Sequence, residues 1–273
     1  MTTLAIPFPV IDPVLLQIGP FAIRWYALAY IAGLVLGWWQ LSRLMSRDAL
    51  WPGNAAPMSK AHLDDFLLWA TIGIVLGGRL GYVLFYNPGY YLENPGEALA
   101  VWQGGMSFHG GFLGVCAAVF LFARRHAIPM LSLGDAVAVV APIGLFFGRI
   151  ANFINAELWG RTTDLPWGVV FPNGGPEPRH PSQLYEAALE GVLLFVILQV
   201  LVARGGLKRP GLAIGTFLLG YGVSRMLVEL VREPDAQIGY LFGPVTMGML
   251  LSLPMALIGL GLVLSARRTL HPA

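Results

Sequence analysis

Apolar runs of eighteen or more residues recur along the whole 273-residue chain. Each is long enough to cross the ~30 Å hydrocarbon layer of a bilayer as a helix. Seven stretches qualify, at roughly 20–42, 65–86, 106–123, 132–154, 182–203, 211–231 and 243–265. Inside lipid the backbone must satisfy its own hydrogen bonds, so such a chain is confined to helical spans. Charged residues make up 12% of the sequence, half of the ~25% typical of a water-soluble domain. The expectation is an all-α polytopic membrane protein of about seven transmembrane helices, with residues 1–273 forming one transmembrane domain.

Breakers and charges fill the gaps between the runs, as in NPGYYLENPGE (87–97), RRHAIP (124–129) and ARGGLKRPG (203–211). The longest connection, 155–181, is rich in Pro and Gly and too polar to cross; it reads as an extracytoplasmic polar loop or small arm. Residues 1–23 hold no Lys or Arg, and prolines at 7, 9, 13 and 20 interrupt them. They therefore lack a signal peptide's basic start and apolar core and read as an irregular or interfacial lead-in. No internal repeat is detectable, which gives an inverted-repeat transporter no support.

Basic residues set the sidedness. Arg43, Arg47, Lys60, Arg124, Arg125, Arg204, Lys208, Arg209, Arg267 and Arg268 follow spans one, three, five and seven, and the loop after span two has none. By the positive-inside rule those alternate loops face the cytoplasm, with the N-terminus outside and the C-terminus inside.

That orientation gathers the expensive residues in one layer. Arg24 and Tyr26 open span one, Arg79 lies late in span two, and His109 starts span three. Arg149, Asn152, Asn155 and Glu157 close span four, and Tyr185, Glu186 and Glu190 begin span five. Tyr221, Arg225, Glu229 and Arg232 are spaced to share one helix face of span six. An ionised side chain at such depth costs several kcal/mol unless paired or wetted, and marks a candidate site.

In GGMSFHGGFLG (104–114) five glycines flank one histidine, so a ligand or a neighbouring helix can approach the backbone there. Cys116, two turns on, reads as a packing residue. Arg149 and Arg225 come from different helices, and guanidinium forks match phosphate oxygens. At this depth the available phosphate is a phospholipid headgroup. A base, a phosphate clamp and an opening to lipid together point to chemistry on that headgroup.

HGGFLG (109–114) and GRIANFINAELWG (148–160) resemble the two signatures of the bacterial prolipoprotein diacylglyceryl transferase family. IDPVLLQIGPFAIRWYALAY (11–30), RHPSQLYEAALEG (179–191) and YGVSRMLVELVREPD (221–235) extend the likeness over nearly the full length. Ala27 and Ala156 stand where that family usually has glycine, and Phe112 replaces a more common aliphatic residue. The resemblance implies an enzyme of the bacterial cytoplasmic (inner) membrane, with its site toward the outer side. It implies transfer of the diacylglyceryl group of phosphatidylglycerol to the lipobox cysteine thiol of a preprolipoprotein signal peptide, the first step of lipoprotein maturation. The expected roles are His109 as general base, with Tyr221 the alternative because flanking arginines can lower a phenol's pKa. Arg149 and Arg225 would hold the phosphate. Tyr26, Asn152 and Tyr221 would hydrogen-bond headgroup or thiol, Glu157 and Glu229 would orient the arginines, and Asn155, Gly160 and Arg232 complete the binding set. No cofactor or metal is expected, since His, Cys and carboxylates never fall at ligand spacing.

Other functions are disfavoured. No basic stripe suggests nucleic acid. A retinal photoreceptor needs a lysine in a helix, but Lys60 and Lys208 are both expected in loops. An intramembrane aspartyl protease needs paired aspartates, and Asp135 is the one expected inside a span. A transporter or lipid-binding module would keep the arginines yet tolerate loss of His109.

Overall fold

The computed structural model describes residues 5–9, 11–19, 21–101, 105–234, 240–242 and 245–268. It is a bundle of long helices: α1 (Trp25–Met45), α2 (Lys60–Phe85), α4 (Phe108–Arg125), α5 (Met130–Ile154), α8 (Leu212–Glu229) and α9 (Met247–Arg268). A short α3 (Pro88–Glu93) follows α2. Between α5 and α8, α6 (Ser182–Glu186) and α7 (Leu194–Ala203) are fused through a π-helical stretch, Ala187–Leu193. Among the described residues, five helices are long and apolar enough to cross a membrane: Lys60–Phe85, Met130–Ile154, Ser182–Ala203, Leu212–Glu229 and Met247–Ala266. Large apolar side chains such as Leu34, Leu76, Leu121, Val196 and Leu257 point outward along the bundle, the reverse of a water-soluble surface. The chain is a polytopic helical membrane protein.

Several expected boundaries move. The lead-in is not irregular throughout. β2 (Val14–Ile18) and β3 (Phe21–Arg24) pair antiparallel, so Arg24 ends a strand and the first helix starts at Trp25. The hairpin leaves Leu16 and Ile18 exposed. Helix α2 starts at Lys60, where the Ser59 hydroxyl caps it by accepting the His62 amide at 3.2 Å. Lys60, Asp64 and Asp65 therefore fall within a helix, and Asp64 accepts the indole N–H of Trp38 at 2.8 Å. Cys116 is exposed on the surface of α4, which corrects its reading as a packing residue.

Glycine sets the helix spacing. A Cβ on Gly73 of α2 would sit 2.6 Å from the Gly114 carbonyl of α4, and one on Gly81 would meet the Gly110 Cα at 2.8 Å. The glycines around His109 thus admit a neighbouring helix, the second of the two uses open to them. Gly222 meets Ser252 and Ala256 across the α8–α9 contact in the same way.

Buried Asp135 closes another junction. It accepts the backbone amides of Gly211 at 2.7 Å and Ile214 at 2.8 Å. It therefore caps the start of α8 from a neighbouring helix, where Gly211 has no side chain to do so.

Residues 155–181 fold against the end of the bundle. β4 (Val169–Val170) pairs parallel with β1 (Ile6–Pro7), over an apolar cluster of Ala156, Val169 and Phe171 with Phe8, Phe153 and Trp159. Arg179 stacks 4.1 Å above the Trp159 ring and bonds the Gly174 carbonyl at 2.6 Å, the Gly160 carbonyl at 3.2 Å and Glu233 at 3.0 Å.

Candidate active site

The polar layer begins where α5 ends. Asn155 closes α5, and the chain then turns through Ala156 (φ 53°) and Leu158 (φ 58°). These are left-handed conformations that cost a side-chain-bearing residue about 1 kcal/mol or more. The turn brings Glu157 back over the helix, where its Oε1 accepts the Asn152 amide at 2.7 Å. Asn152 also donates to the Tyr26 hydroxyl at 3.4 Å, tying α1 to α5. Ala156 occupies a position where glycine would relieve strain.

Six charged side chains, five from three helices and Arg232 from just beyond α8, form the centre. Arg149 of α5 has its Nε 3.2 Å from Glu186 Oε2 and its Nη2 3.4 Å from Glu190 Oε2. Arg225 of α8 pairs through Nη1 with Glu186 Oε1 and through Nη2 with Glu229 Oε1 at 2.6 Å. Glu229 also takes Arg232 Nη1 at 3.2 Å and the Thr246 hydroxyl at 2.7 Å. Glu186 immediately precedes the π-helical stretch and Glu190 lies within it, a widened turn of the kind often found at functional sites. One oxygen of Glu190 and the carbonyl oxygen of Gln183 are buried without a hydrogen-bond partner among the described residues.

Exposure divides this cluster by sign. Glu186, Glu190 and Glu229 keep 0–1% of their side-chain surface, while Arg149 keeps 18% and Arg225 12%. Three arginines face three carboxylates, yet what an incoming group meets is guanidinium.

The expected residues sort as follows. Arg149, Arg225, Glu229 and Arg232 converge in the cluster. Arg232 does so from beyond α8, whose last residue is Glu229, so the four residues of span six do not share one continuous helix face. Its backbone instead bridges Gly160. Tyr26, Asn152 and Glu157 form an adjoining polar group. Glu157 bonds Asn152 and not an arginine, so the expectation that it orients the arginines is corrected: the turn through Ala156 aims it the other way. Tyr221 lies within electrostatic reach of both arginines, but Glu186 and Glu190 face it as well, so the purely positive surroundings expected for it are absent. Asn155 makes no side-chain hydrogen bond among the described residues. Gly160 is a junction: its amide donates to the His180 carbonyl at 2.8 Å, and a Cβ there would meet His180 and the Val231 carbonyl at 2.6 Å. His109 is the second residue of α4, just after the capping Ser107, and its side chain lies outside the described residues. Arg79 is held by loop carbonyls, those of Ala98 at 2.8 Å, Glu97 at 2.7 Å and Gly105 at 3.1 Å, which makes it structural.

Sequence reasoning placed Glu186 in the layer but not in the site. Counting charge could have drawn attention to it, because arginines inside lipid-spanning helices call for buried carboxylates and Glu186 lies in the same layer.

The fold is that of a polytopic helical membrane protein that buries three carboxylates behind two partly exposed arginines. The family model for prolipoprotein diacylglyceryl transferase matches residues 13–265. A phosphatidylglycerol–prolipoprotein diacylglyceryl transferase of Rhizobium meliloti is 62% identical over 269 residues, covering 97% of this chain and 96% of its own length. Its counterpart in Nitrobacter winogradskyi is 60% identical over 96% of this chain and 91% of itself. That of Methylocella silvestris is 60% identical over 98% of both. The chain belongs to the prolipoprotein diacylglyceryl transferase family.

Proposed function

We propose that this protein transfers the diacylglyceryl group of phosphatidylglycerol to the lipobox cysteine thiol of a prolipoprotein. The carrying observation is the partly exposed arginine pair over buried carboxylates. Arg149 and Arg225 offer N–H donors to the phosphate of the lipid headgroup. In the reaction the cysteine sulfur bonds to the glyceryl carbon and the carbon–oxygen bond to phosphate breaks. The thiol proton goes to a base, and glycerol phosphate leaves with the electron pair. Its growing charge is met by guanidiniums already in place. Tyr26, Asn152 and Tyr221 hydrogen-bond headgroup or thiol, while Glu229 orients Arg225 and Arg232. Asn155 and Glu157 complete the binding set beside Asn152. His109 at the start of α4 is the proposed base, because a free thiol with a pKa of roughly 8.5 needs one at neutral pH. Tyr221 is the alternative.

In this reading α1, α2, α4, α5, the fused α6–α7, α8 and α9 make seven spans in a single domain. The N-terminus and the 155–181 arm lie outside, and the C-terminus in the cytoplasm. The alternation of basic loops supports this orientation. The length of α1 and α4, at 21 and 18 residues, supports the count. The test is mass spectrometry of a lipobox peptide incubated with pure protein and phosphatidylglycerol. The expected result is a peptide heavier by one diacylglyceryl group on cysteine; an unmodified peptide beside fully folded protein overturns the reading.

A further inference from the structure

Arg149 and Arg225 stand on different helices, and each has a carboxylate of its own, Glu190 for the first and Glu229 for the second. Among the described residues Glu186 alone pairs with both, with one oxygen on each guanidinium. It is fully buried, so none of its bonding is spent on solvent. Its own position is fixed from the other side. Ser182 donates to the Leu158 carbonyl at 2.9 Å and Gln183 to the Glu157 carbonyl. The first turn of α6 is thereby tied to the segment that carries Glu157 and Asn152. Glu186 completes the charge balance of three arginines and three glutamates, but balance alone does not require it to place one oxygen on each guanidinium. What Glu186 adds is a fixed separation between two guanidinium forks.

We propose that Glu186 is a positioning residue for phosphate. It acts through Arg149 and Arg225 by setting the distance between them, and this rests on the phosphate-site reading above. A phosphate taken between two forks tolerates little misplacement, and a displacement of about 1 Å can cost on the order of 100-fold in rate.

The test uses the full chain in detergent micelles with phosphatidylglycerol and a lipobox peptide. Glu186→Asp keeps the charge but is one methylene shorter, so it cannot span both arginines; Glu186→Gln keeps the length and loses the charge. Each is expected to lower kcat/KM for phosphatidylglycerol about tenfold or more, with KM for the peptide unchanged and the melting temperature of Glu186→Asp close to wild type. Because Glu186 acts through the arginines, its loss combined with Arg225→Lys should be no worse than the more damaging single change. Wild-type kcat/KM in either folded variant, or strictly additive losses, overturns the proposal. Loss of folded protein in Glu186→Asp, where charge is conserved, also overturns it and assigns Glu186 to helix packing. A normal rate in Arg149→Lys would instead overturn the phosphate reading itself, and this inference with it.

Discussion

Replacing Arg225 by lysine keeps a positive charge and removes a fork. The guanidinium reaches Glu186 through one terminal nitrogen and Glu229 through the other, the second contact at 2.6 Å. A lysine ammonium is a single nitrogen at the end of a flexible stem and can hold one of these carboxylates at its proper distance. The other is left in a site where both glutamates are 0–1% exposed. One charge-assisted hydrogen bond is worth roughly 1.5–3 kcal/mol. If that loss falls on the transition state, where the leaving phosphate gathers charge, the rate drops by about 10- to 150-fold. The assay is the initial rate of thioether formation on a lipobox peptide, normalised to folded protein and read at saturating phosphatidylglycerol. Arg149→Lys should behave alike, since Arg149 also spans two carboxylates. Near-wild-type rates in either variant at normal expression would refute the claim that a bidentate fork, beyond mere charge, is what the site requires.

His109→Gln should preserve folding and lower transfer by roughly 100-fold or more, with the defect shrinking as pH rises toward the free thiol's pKa; equal impairment at every pH moves the base to Tyr221. Asp135→Ala should lower stability by about 1.5–3 kcal/mol through the exposed start of α8, while leaving kcat per folded molecule intact; a loss of kcat at unchanged melting temperature contradicts the capping role. In a chain freed of Cys116, a cysteine at exposed position 208 should resist a membrane-impermeant reagent applied from outside, and one at position 94 should react; the opposite pattern reverses the topology. Burial lowers the pKa of His180 from its ordinary 6.5, so the unfolded chain takes up a proton first as pH falls, and the 155–181 arm should loosen below about pH 6.5. His180→Gln should flatten that dependence, measured by hydrogen exchange in the arm; an unchanged slope would show that His180 is not its source.

The helices were legible because a bilayer accepts few solutions: length and apolarity place each one to within a few residues. Where the expected bounds fail, a local cause is visible. The first span starts late because Phe21–Arg24 finds a strand partner in Val14–Ile18, a pairing that no periodicity announced. The site was legible one helix at a time, because arginine, asparagine and glutamate inside apolar runs are conspicuous. How they pair was not, because pairing is decided between helices. Arg79 and Arg149 look alike in sequence, each a lone cation near a span end. One is consumed by three loop carbonyls, whereas the other is left part-open above two buried glutamates.

Glu157 and Glu186 are the counterpart among the acids. Glu157 stands in the long signature and is the acid nearest in sequence to Arg149, eight residues upstream. A left-handed residue at position 156 turns it onto Asn152 instead. Glu186 comes from a segment 37 positions away in sequence and meets both arginines. An acid on the same helix as an arginine can neutralise it, but cannot set its distance from an arginine on another helix. A residue from a third element that touches both arginines can. The first turn of α6, pinned by Ser182 and Gln183 to the chain beyond α5, supplies it.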